Sequence, residues 1–230
     1  MSAAAGSRHA VILADGAAPT RAVLDAAWPG WDDGVELVVA ADGGARHAIT
    51  LGLRLDRWVG DGDSIDPADL NALAVTGVRI DRVEREKDAS DTELAVLAAL
   101  EADAGSVTIL GGLGGVRIDH ALTNVALLEH PALLGRPTRL YDERAARIRL
   151  LAGSGELELV GRPEDLVTLV PVGGPAVSVT TRELRYPLRD ETLEPGSSRG
   201  LSNVRTAPRA AVSIRSGRIL VIETPATVGP

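Results

Sequence analysis

Two aspartates separated by one glycine follow a short apolar segment in the first half of the chain. The sequence reads WVGDGDS from 58 to 64. Side chains alternate along a strand, so if this approach is a strand, Asp61 and Asp63 point the same way. Like charges this close repel, and a site that keeps both ionised usually holds a cation, for which oxygen ligands favour Mg²⁺ or Ca²⁺. The alternative is a polar turn, in which Gly and Asp are ordinary residues.

Four successive predicted strands end in aspartate, glycine or both. The segments are ADGG (41–44), GDGD (60–63), EKDASD (86–91) and GGLGGVRIDH (111–120). In open α/β sheets, ligands bind beyond the carboxyl ends of the strands. The four segments together therefore indicate a binding site better than any one of them does.

The third segment contains a capping box, with Ser90 as N-cap and Glu93 at N3. It places Asp91 in the first turn of a helix, where an acid also complements the helix dipole without any further role. The neighbouring Lys87 and the aspartates of the adjacent strand end favour the functional interpretation of Asp91.

The glycine run from 111 to 115 provides free N–H groups before a helix, which suits phosphate. It is neither a P-loop, since no Gly-Lys-Ser/Thr follows, nor a complete dinucleotide fingerprint, since Arg117 occupies the third glycine position. Arg117 adds donors for a phosphoryl group, and Asp119 adds a carboxylate. A local ion pair between these two residues is the alternative.

Composition excludes several classes of function. The 230 residues carry a net charge of −8, which argues against a nucleic-acid surface, and they include no cysteine, which excludes disulfides and thiolate chemistry. No apolar run is long enough to span a membrane, and no signal peptide is evident, so we expect a cytoplasmic protein. Of 24 basic residues, Lys87 is the only lysine.

Apolar runs alternate with helical patterns up to about residue 144, which predicts an α/β domain with a mostly parallel sheet flanked by helices. From residue 145 the chain has short strands with turn signals, typical of a β-sandwich. We therefore expect domains at 1–144 and 145–230. Carboxylates for Mg²⁺, a lysine, an arginine and glycine loops, with no covalent nucleophile, suit phosphoryl-type transfer.

These motifs, with VTTRELRYPL (179–188) and GLSN (200–203), resemble the thiamine pyrophosphokinase family in order and spacing over about residues 36–224. The resemblance implies a Mg²⁺-dependent kinase in thiamine diphosphate biosynthesis, a transferase that moves pyrophosphate from ATP to the thiamine hydroxyl and releases AMP. It also implies a homodimer with active sites between subunits. Pyrophosphoryl transfer to another alcohol, such as a pterin, and a non-catalytic nucleotide-binding module are the alternatives.

The resemblance also implies roles for individual residues. The metal ligands are Asp61, Asp63 and Asp91, and the catalytic residues are Asp91, Arg117 and Asp119. The ATP-binding residues are Asp42, Gly43, Gly44, Lys87, Gly112 and Gly114, and the thiamine-binding residues are Ser202 and Asn203, contributed by the partner subunit. Val116 lengthens the glycine–arginine segment by one residue relative to the family pattern, and Tyr186 is the only aromatic residue beyond 142.

Overall fold

A parallel sheet forms the first of two units in the chain. The structure is a computed structural model that describes residues 8–226, and it divides into Met1–Arg144 and Ala145–Pro230. The first unit contains β1 (Arg8–Leu13), β2 (Val35–Ala41), β3 (Arg57–Gly60), β4 (Arg79–Arg82), β5 (Ala104–Leu110) and β6 (Thr138–Tyr141). The strands lie in the order β6-β5-β1-β2-β3-β4, and every adjacent pair is parallel. The predicted α/β architecture is confirmed.

Five helices connect these strands: α1 (Arg21–Ala27), α2 (Arg46–Leu51), α3 (Pro67–Val75), α4 (Asp91–Glu101) and α5 (Ile118–Ala126). Short 3₁₀ turns span Asp42–Ala45, Leu127–Glu129 and Pro131–Leu133. Side chains cap three of the helices: Thr20, Asp66 and Ser90 each accept a backbone N–H from the first turn. Such caps satisfy N–H groups that have no partner within the helix. No described helix is long and apolar enough to cross a membrane.

The chain order of the sheet reverses at β1. From β1 the chain proceeds through β2, β3 and β4 to one edge, then returns to β5 on the other side of β1. Both β1 and β5 are almost wholly buried, as expected for strands covered on both faces. Beyond their carboxyl ends the Gly16 N–H donates to the Gly111 carbonyl at 2.7 Å. Open sheets bind ligands at such a reversal.

The second unit consists of two antiparallel sheets. Its strands are β7 (Arg147–Ala152), β8 (Gly155–Val160), β9 (Leu166–Pro171), β10 (Ala176–Arg182), β11 (Glu191–Leu193), β12 (Asn203–Val204), β13 (Arg209–Ile214) and β14 (Arg218–Thr224). One sheet has the order β12-β9-β14-β7 and the other β11-β10-β13-β8. Apolar side chains from both sheets pack in one core, which confirms the β-sandwich. The two shortest strands, β11 and β12, were not predicted from the sequence.

A buried carboxylate with three arginines lies inside this second unit. Glu223 on β14 is fully buried and accepts hydrogen bonds from Arg147 at 3.0 Å, from Arg149 at 2.7 Å and from Arg205 at 2.7 Å. Burial raises the pKa of Glu223, but the charges of Arg149, Arg147 and Arg205 outweigh it, so the pKa falls below its ordinary 4.5. The carboxylate therefore stays ionised and supplies a counter-charge that three arginines share.

We predict that Glu223→Gln lowers the free energy of unfolding of the second unit by about 3–5 kcal/mol at pH 7, because it leaves buried arginines without their counter-charge. Glu156→Gln, which removes an exposed pair with Arg182, should cost far less, because solvent screens exposed pairs. Urea unfolding followed by circular dichroism measures both. Tryptophan fluorescence reports the unfolding of the first unit, because all three tryptophans lie there. It therefore serves as an internal reference for substitutions in the second unit.

The same pair of proteins tests the pH dependence. Because the pKa of Glu223 is lower in the folded state, its contribution to stability is present above the unfolded pKa and is lost as the pH falls through the folded value. Acidification should therefore reduce the difference in the free energy of unfolding between the wild-type chain and Glu223→Gln. An equal gap at pH 7 and pH 3 would contradict this interpretation.

Candidate active site

A cleft of about 610 Å³ lies at the carboxyl ends of the strands of the first unit. Most of its walls come from the four segments singled out in the sequence, and Asp15 and Gly16, which follow β1, also line it. The predicted residues Asp42, Asp61, Asp63, Lys87, Asp91, Gly112, Gly114 and Arg117 all line it. Among these predicted residues, Asp42 and Arg117 are 75 positions apart in the chain.

Three carboxylates in the cleft can share one cation. Asp42, Asp61 and Asp63 each offer an oxygen within 4.8 Å of the others. Asp42 is buried, and its Oδ1 has no hydrogen-bond partner among the described residues. Burial raises the pKa of Asp42 to about 6, and the negative charges of Asp91, Asp61 and Asp63 add to this, against a lowering by the Ser64 N–H. A buried acceptor without a donor, surrounded by other acids, fits a cation.

Turns, rather than strand alternation, orient these acids. Strand β3 ends at Gly60, and the chain then turns through Gly62, which has φ +84°. The Asp63 N–H donates to Asp61 Oδ1 at 3.0 Å. The expectation that strand alternation would point Asp61 and Asp63 the same way is wrong, because both residues follow the end of the strand. Their carboxylates nevertheless lie close together.

Asp42 is held in place by its neighbours on β3 and in the following loop. Its carbonyl accepts the Trp58 indole N–H at 3.0 Å, and its Oδ2 accepts the Ser64 N–H at 3.3 Å. Asp42 has φ +43°, a left-handed conformation that aspartate tolerates better than most residues. The first residue after β2 is therefore fixed against the loop that carries Asp61 and Asp63.

Lys87 lies between two acids of the cleft. Its Nζ donates to Asp91 Oδ1 at 2.5 Å and is 3.7 Å from Asp61 Oδ2. Asp91 is not part of the group of three carboxylates. Its predicted metal and catalytic roles, and the predicted contact of Lys87 with ATP, stay predictions.

Arg117 and Asp119 form the local ion pair that the sequence left open as an alternative. Arg117 donates to both oxygens of Asp119, at 3.0 and 2.5 Å, and both side chains are largely exposed. Hydrogen bonding from Arg117 holds the pKa of Asp119 well below its ordinary range. Arg117 lines the cleft and Asp119 does not. Their catalytic roles stay predictions.

The predicted ATP-binding glycines differ in what requires them. A Cβ on Gly44 would overlap the Leu13 carbonyl, and one on Gly112 would lie 2.7 Å from Leu140 Cδ1, so packing alone excludes larger side chains there. A Cβ on Gly43 would overlap the Asp15 carboxylate. Gly114 has φ +73° and lines the cleft, and it is the clearest case of a glycine that the loop conformation itself requires.

The two predicted thiamine-binding residues lie in the second unit. Ser202 is exposed, and its N–H donates to Thr168 Oγ1 at 3.0 Å. The buried Asn203 side chain accepts the Tyr186 N–H at 2.9 Å and donates to the Tyr186 carbonyl at 2.6 Å. The Tyr186 side chain is exposed and is not packed inside the sandwich. Asn203 thus fixes the backbone that presents Tyr186.

The sequence analysis missed four residues of the cleft or its supports. Asp15 follows β1 in an ADG segment like those already singled out, so its signal was present. Arg46 pairs with the Asp15 carboxylate and donates to the Gly43 carbonyl at 2.9 Å. Arg85 donates to Asp63 at 3.1 Å, and Asn124 donates to the Gly112 carbonyl at 2.8 Å. No local pattern marks the last three.

Comparison with known proteins gives one family throughout. The model for the thiamin pyrophosphokinase catalytic domain matches residues 31–137, and that for the thiamin pyrophosphokinase vitamin B1 binding domain matches residues 157–219. The chain is 25% identical over 195 residues to thiamine pyrophosphokinase of Bacillus subtilis, covering 85% of this chain and 90% of the relative. It is 26% identical over 196 residues to thiamine pyrophosphokinase 1 of rice (Oryza sativa subsp. japonica), covering 76% and 73%.

Solved structures agree with this result. A thiamin pyrophosphokinase family protein from Enterococcus faecalis has a TM-score of 0.78 at 29% identity, over 95% of this chain and 99% of that one. The Bacillus subtilis thiamine pyrophosphokinase has a TM-score of 0.80 at 23% identity, over 95% and 100%. With both of its domain models matched in order on a fold that these structures share, the chain belongs to the thiamine pyrophosphokinase family.

Proposed function

We propose that this chain transfers the pyrophosphoryl group of ATP to the hydroxyl of thiamine, giving thiamine diphosphate and AMP. The observation that carries the proposal is the convergence of Asp42, Asp61 and Asp63 in a cleft lined by a glycine loop. A polyphosphate needs a divalent cation and N–H donors. The three carboxylates are ligands for such a cation, and the glycine loop supplies backbone N–H groups. A cytoplasmic location, where ATP is available, belongs to the same proposal.

Asp42, Asp61 and Asp63 would hold Mg²⁺. The bound cation would neutralise the charge that builds up on the polyphosphate during transfer. Asp42 supplies the buried acceptor that lacks a donor, and the turn at Gly62 holds the other two carboxylates beside it. The nucleotide side comprises Asp42, Gly43 and Gly44 after β2, with Gly112 and Gly114 after β5.

The proposed reaction is an in-line attack of the thiamine hydroxyl oxygen on the β-phosphorus of ATP. The bond from that phosphorus to the oxygen bridging to the α-phosphorus breaks, and AMP leaves. Asp91 or Asp119 orients the hydroxyl and accepts its proton, and Arg117 offsets charge on the transferred group. Arg117 would exchange its exposed contact with Asp119 for the phosphoryl oxygens, with which a guanidinium also forms bidentate charge-assisted hydrogen bonds.

The proposed reaction predicts which substrate the protein uses. With ATP and Mg²⁺, the protein should release AMP only when thiamine is present, in amounts equal to the thiamine diphosphate formed. Chromatography of the nucleotides and of thiamine diphosphate measures both. AMP formed with a hydroxymethyl pterin in place of thiamine would assign a different acceptor, and no AMP with any acceptor would favour a nucleotide-binding module.

A second prediction concerns the metal ligands. Asp63→Asn should lower the turnover number by about 10²–10³-fold or more, because it removes one of the carboxylates that would hold the cation, and the cation counters the charge of the polyphosphate. Asp69→Asn, an exposed acid on α3 outside the cleft, should retain full activity. Thermal unfolding followed by tryptophan fluorescence checks that both variants fold. Full Mg²⁺-dependent turnover by Asp63→Asn would contradict the metal role.

We also propose a homodimer in which Ser202 and Asn203 of one subunit complete the thiamine site of the other. Exposed apolar side chains near the cleft (Val116, Ile118 and Leu122) and beside Ser202 (Leu201) support an interface, because contiguous exposed apolar surface commonly marks an interaction site.

Mixing two inactive variants tests this arrangement. Asp63→Asn and Ser202→Arg each remove one half of the proposed site, and Ser202 is exposed, so its replacement should not disturb the fold. If the halves come from different subunits, random mixing should restore about a quarter of wild-type activity, because half of the dimers then carry one intact site. No recovery after subunit exchange, verified by mass spectrometry with differently tagged copies, would contradict a shared site.

A further inference from the structure

The only lysine of the chain lies between two acids of the cleft. The Lys87 side chain is 17% exposed, and its two carboxylate neighbours, Asp61 and Asp91, are 13% and 29% exposed. The Nζ is 2.5 Å from Asp91 and 3.7 Å from Asp61. Lysine carries a compact charge on a flexible chain, whereas arginine has a planar fork. The short distances from Nζ to both carboxylates show that this compact charge lies between them.

The surrounding charges are predominantly negative. Six aspartates line the cleft: Asp15, Asp42, Asp61, Asp63, Asp88 and Asp91. Among residues 8–226, three lysine or arginine side chains line it, of which Arg85 is 79% exposed and Arg117 is largely exposed and paired with Asp119. Charges in contact with water are screened, whereas partly buried charges are screened much less. Lys87 is therefore the principal cation that acts on the two inner acids of the cleft, Asp61 and Asp91.

We propose that Lys87 is the built-in counter-ion of this cleft: it holds Asp61 and Asp91 together when no divalent cation is bound, and it weakens the binding of that cation. The inference rests on the site for a divalent cation in the proposed function. It gives Lys87 a different role from the ATP contact that the family resemblance implies. Asp61 belongs both to the group of three carboxylates and to the surroundings of Lys87. The lysine and the divalent cation thus act on the same carboxylate.

Two opposite effects follow from removing the lysine charge. Without it, the inner acids repel one another in the protein that lacks metal, so that form should lose stability. The same loss removes a positive charge next to the metal ligands, so a divalent cation should bind more tightly. A residue with only a structural role would weaken metal binding when replaced, and a residue that contacts only ATP would leave binding of the metal alone unchanged.

The test uses Mn²⁺ alone, without nucleotide, measured by isothermal titration and by the electron paramagnetic resonance of free Mn²⁺. Lys87→Met should bind Mn²⁺ at least about tenfold more tightly than the wild-type chain. Its metal-free melting temperature should be lower, and saturating Mn²⁺ should remove that difference. Lys87→Arg, which keeps the charge, should bind Mn²⁺ within about threefold of wild type, because charge rather than shape sets the competition.

Arg85→Met is the matched control, because it removes a cation paired with Asp63 in the same cleft but at an exposed position. We expect it to change Mn²⁺ affinity by less than about threefold. Equal or weaker Mn²⁺ binding by Lys87→Met would overturn the inference and leave the proposed function intact. If the wild-type chain binds no Mn²⁺, or if Asp63→Asn binds it equally well, the proposed metal site fails, and the inference fails with it.

Discussion

Mutual repulsion among carboxylates at one edge of a parallel sheet is the constraint on which the rest of this site depends. Parallel strands deliver their carboxyl ends to the same edge, and here β2 and β3 both end beside aspartates. Asp42 is buried among the other acids, and one of its oxygens has no hydrogen-bond partner in the described part of the chain. Burial is the main cause that raises its pKa to about 6. The indole of Trp58, the Ser64 N–H and Lys87 hold the acids in this arrangement. A polar surface turn would not require such support.

The sequence was sufficient for the strands of the first unit, because each is a short apolar run bounded by turn residues. It was also sufficient for eight of the residues that line the cleft, because those eight follow strand ends. The sequence did not predict how the side chains of these residues are oriented. The 3₁₀ turn at Asp42–Ala45 and the turn at Gly62 depend on contacts with Trp58 and Ser64, which no local pattern encodes. Arg46, Arg85 and Asn124 were missed for the same reason, since each acts through a partner in another segment.

The second unit shows the same division. Its alternating short strands were readable, whereas β11 and β12 have three and two residues and give no periodic signal. The cluster around Glu223 joins arginines from β7 and from the segment after β12, and charged residues in a sequence carry no sign of burial. Asn203 is part of a motif associated by resemblance with thiamine, and in the structure its amide holds the Tyr186 backbone. A motif that resemblance predicts to bind thiamine therefore has a structural function in the described residues.

The most direct test of the shared cation is a crystal structure with Mn²⁺ and a non-hydrolysable ATP analogue, with the metal located by anomalous scattering. The account predicts one Mn²⁺ peak at about 2.1 Å from oxygens of Asp42, Asp61 and Asp63, with the analogue's phosphates beside Gly114 and Lys87 Nζ still on Asp91. Mn²⁺ bound elsewhere, or the three carboxylates turned away from a common point, would contradict it.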